Sequence, residues 1–222
     1  MILKSRLFEK KEPDRDASLF IIYCEGARRE PDYFGYFENI SSRVKLEIIK
    51  ADSQGDNSPK GLLEQAKKDL KEGTEEHNPK YVLEDGDQVW FVIDTDAWGK
   101  HISTLCNECD KQSNWYVAQS NPCFEIWLLY HFHSDDASKI IPDECESWKK
   151  YVDKRIKGGF DSRRHPFYIE DAIKNSEKHY RESDGFAAYG STQVYRLGKA
   201  LLPLIATTLQ NAKGRLRINS KN

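Results

Sequence analysis

The chain has 222 residues, of which 38% are hydrophobic and 32% charged, and its formal net charge is −2. This composition, with 5 Trp, 11 Tyr and 10 Phe, supports a hydrophobic core and excludes an intrinsically disordered chain. No apolar run approaches the ~20 residues that cross a bilayer, and the N-terminal residues lack the pattern of a secretion signal, so we expect a cytoplasmic protein that does not enter a membrane. Its five cysteines are expected to be reduced thiols.

Strands alternate with helices over about the first 133 residues. The predicted elements are a strand at 18–24, a helix from Pro31, a strand at 44–49, a helix from Ser58, a strand at 88–93, a weak helix at about 100–111, a strand at 115–119, and a helix from Ser120 whose Phe124, Trp127, Leu128 and Phe132 face inward. The strands at 18–24 and 88–93 are apolar on both faces, which is typical of a parallel sheet. The order of elements predicts an α/β fold with a mostly parallel, Rossmann-like sheet between helices.

The pattern changes to helices beyond about residue 140. Helices are predicted at 143–157, at 168–182 and from Gly190 onward. We therefore divide the chain into an α/β core, residues 1–140, and a basic helical extension on the same body, residues 141–222.

Charge is distributed unevenly between the two ends of the chain. Residues 149–222 carry 16 basic and 7 acidic side chains, whereas residues 1–148 carry 18 basic and 29 acidic ones. This asymmetry is typical of a cation-binding region beside a polyanion-binding region, although two charged faces that attract each other would give the same pattern.

Acidic residues follow the two most apolar strands. Glu25 follows the first, and Asp94 and Asp96 follow the strand at 88–93. The carboxyl ends of neighbouring parallel strands open onto one crevice, so the three carboxylates would converge if the strands are neighbours. Close carboxylates repel each other unless a cation or shared protons relieve the repulsion, and Mg²⁺ or Mn²⁺ prefers such oxygen ligands. The alternative is that Asp94 and Asp96 cap a turn.

Three segments in combination resemble the RloB family. They are Ile22-Tyr-Cys-Glu-Gly-Ala-Arg-Arg-Glu-Pro-Asp-Tyr-Phe34, Val92-Ile-Asp-Thr-Asp96 and Ser120-Asn-Pro-Cys-Phe-Glu-Ile-Trp-Leu-Leu-Tyr-His-Phe132. That family resembles the TOPRIM fold of topoisomerases, primases and OLD-type nucleases. The family's motif usually has Thr where Arg29 stands, so a role for that hydroxyl is not carried over.

The resemblance implies a TOPRIM-like fold and metal-dependent cleavage of DNA or RNA. It implies that Glu25 is a general acid/base and metal ligand, and that Asp94 and Asp96 bind Mg²⁺ or Mn²⁺. Glu125 would be a further metal ligand, although its place in the first turn of a helix also suits a negative charge. RloB-like proteins accompany an ATPase in bacterial phage-defence loci, so the resemblance implies an AAA- or ABC-type ATPase partner in a two-component, abortive-infection system.

Four arginines are the candidate contacts to nucleic acid. Arg28 and Arg29 follow the Glu-Gly turn, where they would bind a phosphate and Arg28 would also stabilise charge on the transition state, although surface salt bridges are the alternative for both. Arg163 and Arg164 belong to the basic C-terminal part, where a solvated helix face or a docking surface for a partner is the alternative. The isolated pair Cys106 and Cys109 has no second pair to complete a zinc site, and its role is left open.

The leading hypothesis is therefore a metal-dependent, TOPRIM-like nuclease. A non-catalytic TOPRIM-like module that binds nucleic acid and docks on an ATPase is the alternative, which the intact set Glu25, Asp94 and Asp96 disfavours. A third hypothesis, phosphoryl transfer on a small nucleotide, is disfavoured because a mononucleotide needs few basic residues. The sequence does not indicate whether the substrate is DNA or RNA, or whether the chain forms a homo-oligomer.

Overall fold

A computed structural model of the chain describes residues 17–50, 55–70, 78–95, 98, 101–140 and 144–219, without the side chains of residues 216–219. Its strands and α-helices are, in chain order, β1 (Ser18–Cys24), α1 (Arg29–Phe34), β2 (Val44–Ile49), α2 (Pro59–Leu70), β3 (Gln88–Asp94), α3 (His101–Cys109), β4 (Trp115–Asn121), α4 (Glu125–Leu129), α5 (Cys145–Arg155), α6 (Ile169–His179), β5 (Glu182–Ser183), β6 (Phe186–Ala187), β7 (Ser191–Thr192) and α7 (Val194–Asn219). Short 3-10 helices lie at Gly35–Phe37, Ala137–Lys139 and His165–Tyr168.

The main sheet has the strand order β2-β1-β3-β4-β7. The first four strands are parallel, and β7 pairs antiparallel to β4. A mostly parallel sheet flanked by helices confirms the predicted α/β, Rossmann-like architecture. Because β1 and β3 are neighbours, their carboxyl ends lie side by side.

Successive side chains of a strand point to opposite faces of the sheet, so a strand that is apolar at every position makes both faces apolar. In β1, Phe20 and Ile22 belong to one buried cluster, while Ile21 and Tyr23 belong to the other. The first cluster contains residues of α1, α4, α6 and α7, and the second contains residues of α2 and α3. The sheet is thus the middle of three layers, as continuous apolar strands require.

The C-terminal part shares the first of these cores. Trp148, Ile169 and Leu201 are buried in the same cluster as Phe20. The strand β7 also comes from this part of the chain and completes one edge of the main sheet. The division at residue 140 stays a prediction about folding units. None of the described helices has the length and apolar character needed to cross a membrane.

The helix predicted from Ser120 differs most from expectation. The strand β4 continues to Asn121, a cis peptide bond joins Asn121 to Pro122, and α4 is only Glu125–Leu129. Trp127 and Leu128 are buried as predicted, but Phe132 is 41% exposed, so its predicted inward position was wrong. The helical spacing on which that prediction depended ends before Phe132 is reached.

Candidate functional site

The pairing of β1 with β3 brings Glu25 and Asp94 together. Cys24 lies opposite Val92, and the Glu25 amide donates to the Val92 carbonyl at 3.1 Å. The Glu25 carboxylate accepts one hydrogen bond from the Asp94 amide, at 2.8 Å, and another from the Trp98 indole, at 2.5 Å. Two donors from the neighbouring strand end therefore fix the orientation of the Glu25 side chain.

Two further glutamates are buried beside this strand edge. Glu125, at the start of α4, is 2% exposed, and Glu30, in α1, is 5% exposed. Glu30 packs so tightly against Gly26 that a Cβ atom at position 26 would lie 2.1 Å from its Oε2. The glycine of the Glu-Gly turn therefore leaves the space that the Glu30 carboxylate fills.

Glu30 is the acidic residue that sequence reasoning missed. It lies in the segment that carries the family resemblance, and the signal was its spacing. Tyr33, Phe34 and Phe37 follow it at positions i+3, i+4 and i+7, which is the apolar side of the first helix. A glutamate on that side is buried unless the helix is displaced from the core.

The four side chains Glu25, Glu30, Asp94 and Glu125 form one electrostatic unit, here called the carboxylate cluster. Burial, with a smaller contribution from the charges of Glu125 and Glu25, raises the pKa of Glu30 to about 7. Burial also holds the pKa of Asp94 well above its usual range, with additional contributions from the other three carboxylates. The charges of Glu25 and Glu125 thus oppose the ionisation of Glu30 and Asp94.

Nearby cations compensate the carboxylate cluster only in part. The Arg29 Nε lies 3.8 Å from Glu125 Oε1, and the Lys149 charge lowers the pKa of Glu30 slightly. The Arg29 guanidinium also lies 4.0 Å from Asp153, so its charge is divided between two carboxylates.

Among the residues that the structure describes, two carboxylate oxygens of the cluster are buried and have no hydrogen-bond partner. They are Asp94 Oδ1 and Glu125 Oε1. Leaving a buried acceptor unsatisfied costs roughly 1–3 kcal/mol, and more for a charged group, so such atoms call for a ligand. The possible metal ligands of the cluster are all carboxylate oxygens, which a hard cation such as Mg²⁺ or Mn²⁺ prefers.

The geometry of a closed metal site is not formed by the part of the chain that the structure describes. Within those residues, no three His, Cys, Asp or Glu side chains converge closely enough to hold a metal ion. The predicted ligand Asp96 lies outside the described residues. The carboxylate oxygens therefore fit a cation, while the described residues do not include the full set of predicted ligands.

A cationic groove lies next to the carboxylate cluster. Its volume is about 1180 Å³, and its basic lining residues are Arg28, Arg29, Lys50, Lys149, Arg163 and Arg164. The four arginines predicted to contact nucleic acid thus lie in one groove, although more than 130 positions separate the two pairs in the chain. Lys50, which directly follows β2, was not predicted.

The charges of the groove are not all free to act on a ligand. Asp161 accepts from Arg163 Nε at 3.0 Å and from Arg164 Nε at 2.9 Å. Asp32 and Glu38 also line the groove. Six basic against three acidic side chains leave it net positive, and Arg29 connects it to the carboxylate cluster.

The cysteine pair in α3 lies elsewhere. Cys106 and Cys109 line a separate cavity of about 510 Å³, with Trp90 and Tyr116 among its other walls. Burial raises the pKa of Cys106 to about 11 and that of Cys109 to about 12, so both are protonated thiols near neutral pH. A protonated thiol is a poor nucleophile and a poor metal ligand.

Comparison with known proteins gives one match. Residues 20–201 match a family model described as RloB-like protein. No curated protein and no solved structure shows a significant match. The matched span includes the carboxylate cluster and every basic residue that lines the cationic groove.

Proposed function

The chain belongs to the RloB-like family, and from this premise we propose that it is a metal-dependent, TOPRIM-like nuclease that cleaves phosphodiester bonds of DNA or RNA. The observation that carries the proposal is that, among the described residues, the buried oxygens Asp94 Oδ1 and Glu125 Oε1 at the carboxyl edge of the sheet have no hydrogen-bond partner. A divalent cation would coordinate both oxygens and would offset the burial and the mutual repulsion that raise the pKa of Glu30 and Asp94.

In this proposal, Asp94, Asp96 and Glu125 hold Mg²⁺ or Mn²⁺ together with Glu25. A bound cation polarises a phosphate and stabilises the developing charge on the leaving oxygen. Glu25 would act as general acid/base, taking the proton of the attacking water and returning it to the leaving oxygen as the phosphodiester bond breaks. Its two hydrogen-bond donors keep its carboxylate in position. Arg28 lines the groove and neutralises charge on the phosphate in the transition state.

Glu30 completes the carboxylate cluster as a positioning group. Its carboxylate fills the space above Gly26, and its charge contributes to the raised pKa of Asp94. We propose that it adjusts the protonation of the ligand carboxylates and that it ionises fully when the cation binds.

The cationic groove carries the nucleic-acid backbone in this proposal. Four carboxylates repel a phosphate chain, so a neighbouring surface must attract it. Arg28, Arg29, Lys50, Lys149, Arg163 and Arg164 supply that attraction beside the proposed metal site. By its resemblance to RloB proteins, the chain would act in the cytoplasm as the effector of a phage-defence system that includes an ATPase.

One observation favours a second candidate, a non-catalytic module that binds nucleic acid and docks on the ATPase. No three of the described metal-ligating side chains converge closely enough to hold an ion. The two candidates differ in one property: the nuclease binds a divalent cation through Asp94, and the module binds none.

The first test is calorimetric titration of the purified chain with Mn²⁺ and with Mg²⁺. We expect binding in the wild type and its loss in Asp94→Asn/Asp96→Asn. Asp85→Asn is the matched control, because Asp85 is exposed in the turn before β3, at the opposite end of that strand. The titration does not require an ATPase partner, so an inactive isolated chain would not obscure it.

The titration is repeated with a nuclease-resistant phosphorothioate strand, because a phosphate oxygen can complete a metal site. Absence of cation binding with and without the strand would contradict the nuclease and favour the non-catalytic module. Cleavage of end-labelled DNA and RNA, with either metal and with EDTA, then establishes the reaction.

A further inference from the structure

Two aromatic side chains are exposed close to the cationic groove. Phe132 is 41% exposed and Tyr168 is 40% exposed, and their ring centroids are 5.4 Å apart. His165 lies against the same surface, with its ring centroid 4.8 Å from that of Phe132. We call Phe132, His165 and Tyr168 the aromatic rim.

The aromatic rim is continuous with the wall of the groove. Phe160 lines the groove, and its ring centroid lies 5.2 Å from His165 and 6.5 Å from Phe132. Arg163 and Arg164, which also line the groove, directly precede His165 in the chain. A ligand that occupies the groove beside these arginines would therefore have the rim within reach.

The rim is held in place by the packing beneath it. The 3-10 helix His165–Tyr168 buries Pro166 and Phe167, so Tyr168 is directed outward. The Asp161 amide donates to His165 Nδ1 at 2.9 Å. The Asp161 carboxylate binds Arg163 and Arg164, so one residue orders both the histidine and the arginines.

We propose that the aromatic rim stacks unpaired bases, so that the substrate of the proposed nuclease is single-stranded nucleic acid or an unpaired segment of a folded one. The inference rests on the proposed function, because it requires the groove to hold a phosphate backbone. Aromatic rings beside a positively charged groove are the usual combination for single-strand binding, since each ring accepts the face of any base. A duplex keeps these faces inside its stack and cannot present them.

The test compares three ligands by fluorescence anisotropy in buffer with EDTA, so that no cleavage occurs. They are a labelled oligothymidylate of about twelve nucleotides, which is within the usual range of site sizes, an abasic strand of the same length, and a duplex. The abasic strand keeps every phosphate and lacks every base. We expect the wild type to bind oligothymidylate about tenfold more tightly than the abasic strand, the ratio that one stacked base provides.

The test variant is Phe132→Leu/Tyr168→Leu, which keeps apolar side chains at two exposed positions and removes the rings. We expect it to lose the preference for oligothymidylate and to keep its affinity for the abasic strand. Tyr116→Leu is the matched control: Tyr116 is 36% exposed and lines the separate cavity near Trp90. It should keep the wild-type ratio.

The outcomes separate this inference from the function on which it rests. Equal wild-type affinity for the abasic strand and oligothymidylate, tighter binding of the duplex, or an unchanged ratio in Phe132→Leu/Tyr168→Leu would each overturn base stacking. If Phe132→Leu/Tyr168→Leu keeps the wild-type ratio of affinities for oligothymidylate and the abasic strand but no longer binds a protein partner, the rim would be a surface for that partner. That result would also overturn base stacking. Metal-dependent cleavage that persists in Asp94→Asn would instead overturn the proposed metal site and leave the stacking result intact. Absence of binding to all three ligands would overturn both proposals.

Discussion

Two buried polar regions of this molecule lie close in the sequence and differ in how their hydrogen bonds are completed. In the first, His131 is 3% exposed, its Nδ1 pairs with the Trp127 carbonyl at 3.0 Å, and its Nε2 pairs with the Tyr33 hydroxyl at 3.0 Å. In the second, the carboxylate cluster, Asp94 Oδ1 and Glu125 Oε1 have no hydrogen-bond partner among the described residues, and Arg29 Nε lies 3.8 Å from Glu125 Oε1.

The difference indicates what each region contributes. A buried polar group with all its partners stabilises one arrangement of the core, whereas an unsatisfied one lowers stability and needs another reason to be present. Burial lowers the pKa of His131 to about 3, so the ring is neutral and structural at neutral pH. In the carboxylate cluster, by contrast, burial and the neighbouring carboxylates oppose the ionisation of Glu30 and Asp94.

The largest expected effect is on catalysis. Asp94→Asn should reduce metal-dependent cleavage by about 10³-fold, since loss of a metal ligand removes several kcal/mol of transition-state stabilisation. The free energy of unfolding in EDTA should not fall, because the variant removes a buried acid whose ionisation is opposed by burial and by the neighbouring carboxylates, without changing the size of the side chain. Cleavage kinetics and urea unfolding measure the two quantities, with Asp85→Asn as control. Full activity in Asp94→Asn would remove Asp94 from the proposed site.

Removal of the fully hydrogen-bonded His131 should lower stability and leave the proposed metal site unchanged. His131→Ala should lower the free energy of unfolding by about 3–4 kcal/mol, because it leaves a cavity and the Tyr33 hydroxyl without its partner. Tyr33→Phe removes only a hydroxyl and should cost about 1–2 kcal/mol. Manganese binding per folded molecule should be unchanged in both. Urea unfolding in which His131→Ala matches the wild type would show that the pair is not structural.

The pH dependence of stability should separate Glu30 from His131. Because the folded state raises the pKa of Glu30 from 4.5 to about 7, it binds the proton more tightly than the unfolded chain, and stability falls as pH rises through this interval. Glu30→Gln should therefore be more stable than wild type by about 3 kcal/mol at pH 8 in EDTA, and equal to it near pH 4. His131 acts in the other direction: its pKa is lowered from 6.5 to about 3, so its contribution is lost as pH falls below 6.5.

Urea unfolding of the wild type and Glu30→Gln across this pH range measures both slopes. Saturating Mn²⁺ should remove most of the difference at pH 8, because the cation compensates the same charge. A wild-type stability that rises with pH between 4.5 and 7, with no gain in Glu30→Gln, would contradict the assignment of Glu30 to the carboxylate cluster.

The sheet and one pair of site residues were predictable because their causes are local. Apolar runs mark β1 and β3, and parallel strands place Glu25 and Asp94 at one edge. The burial of Glu30 depends on what its helix packs against, and a search limited to strand ends does not find it. The exposure of Phe132 depends on where α4 ends, which the apolar spacing did not indicate.

The two arginine pairs lie in one cationic groove because of the tertiary structure, and local sequence does not predict this. Nothing in the local sequence around Arg28 and Arg29 indicates that the chain segment at 158–164 returns to them. The two segments line the same groove because α4, α5 and α6 pack against the sheet, where residues of all three helices share one core.

The smallest expected effect concerns Arg163 and Arg164, which line this groove. Arg163→Ala/Arg164→Ala should reduce the dependence of the logarithm of the affinity on the logarithm of salt concentration by about 1, whereas two fully free charges would give about 1.4 on a single strand. The smaller value is expected because Asp161 already binds both guanidiniums. Anisotropy titrations over a range of salt concentrations measure the slope. Lys60→Ala/Lys68→Ala on α2 removes the same charge outside the groove and should leave the slope unchanged. An equal change in both variants would mean that net charge, and not this groove, attracts the phosphate chain.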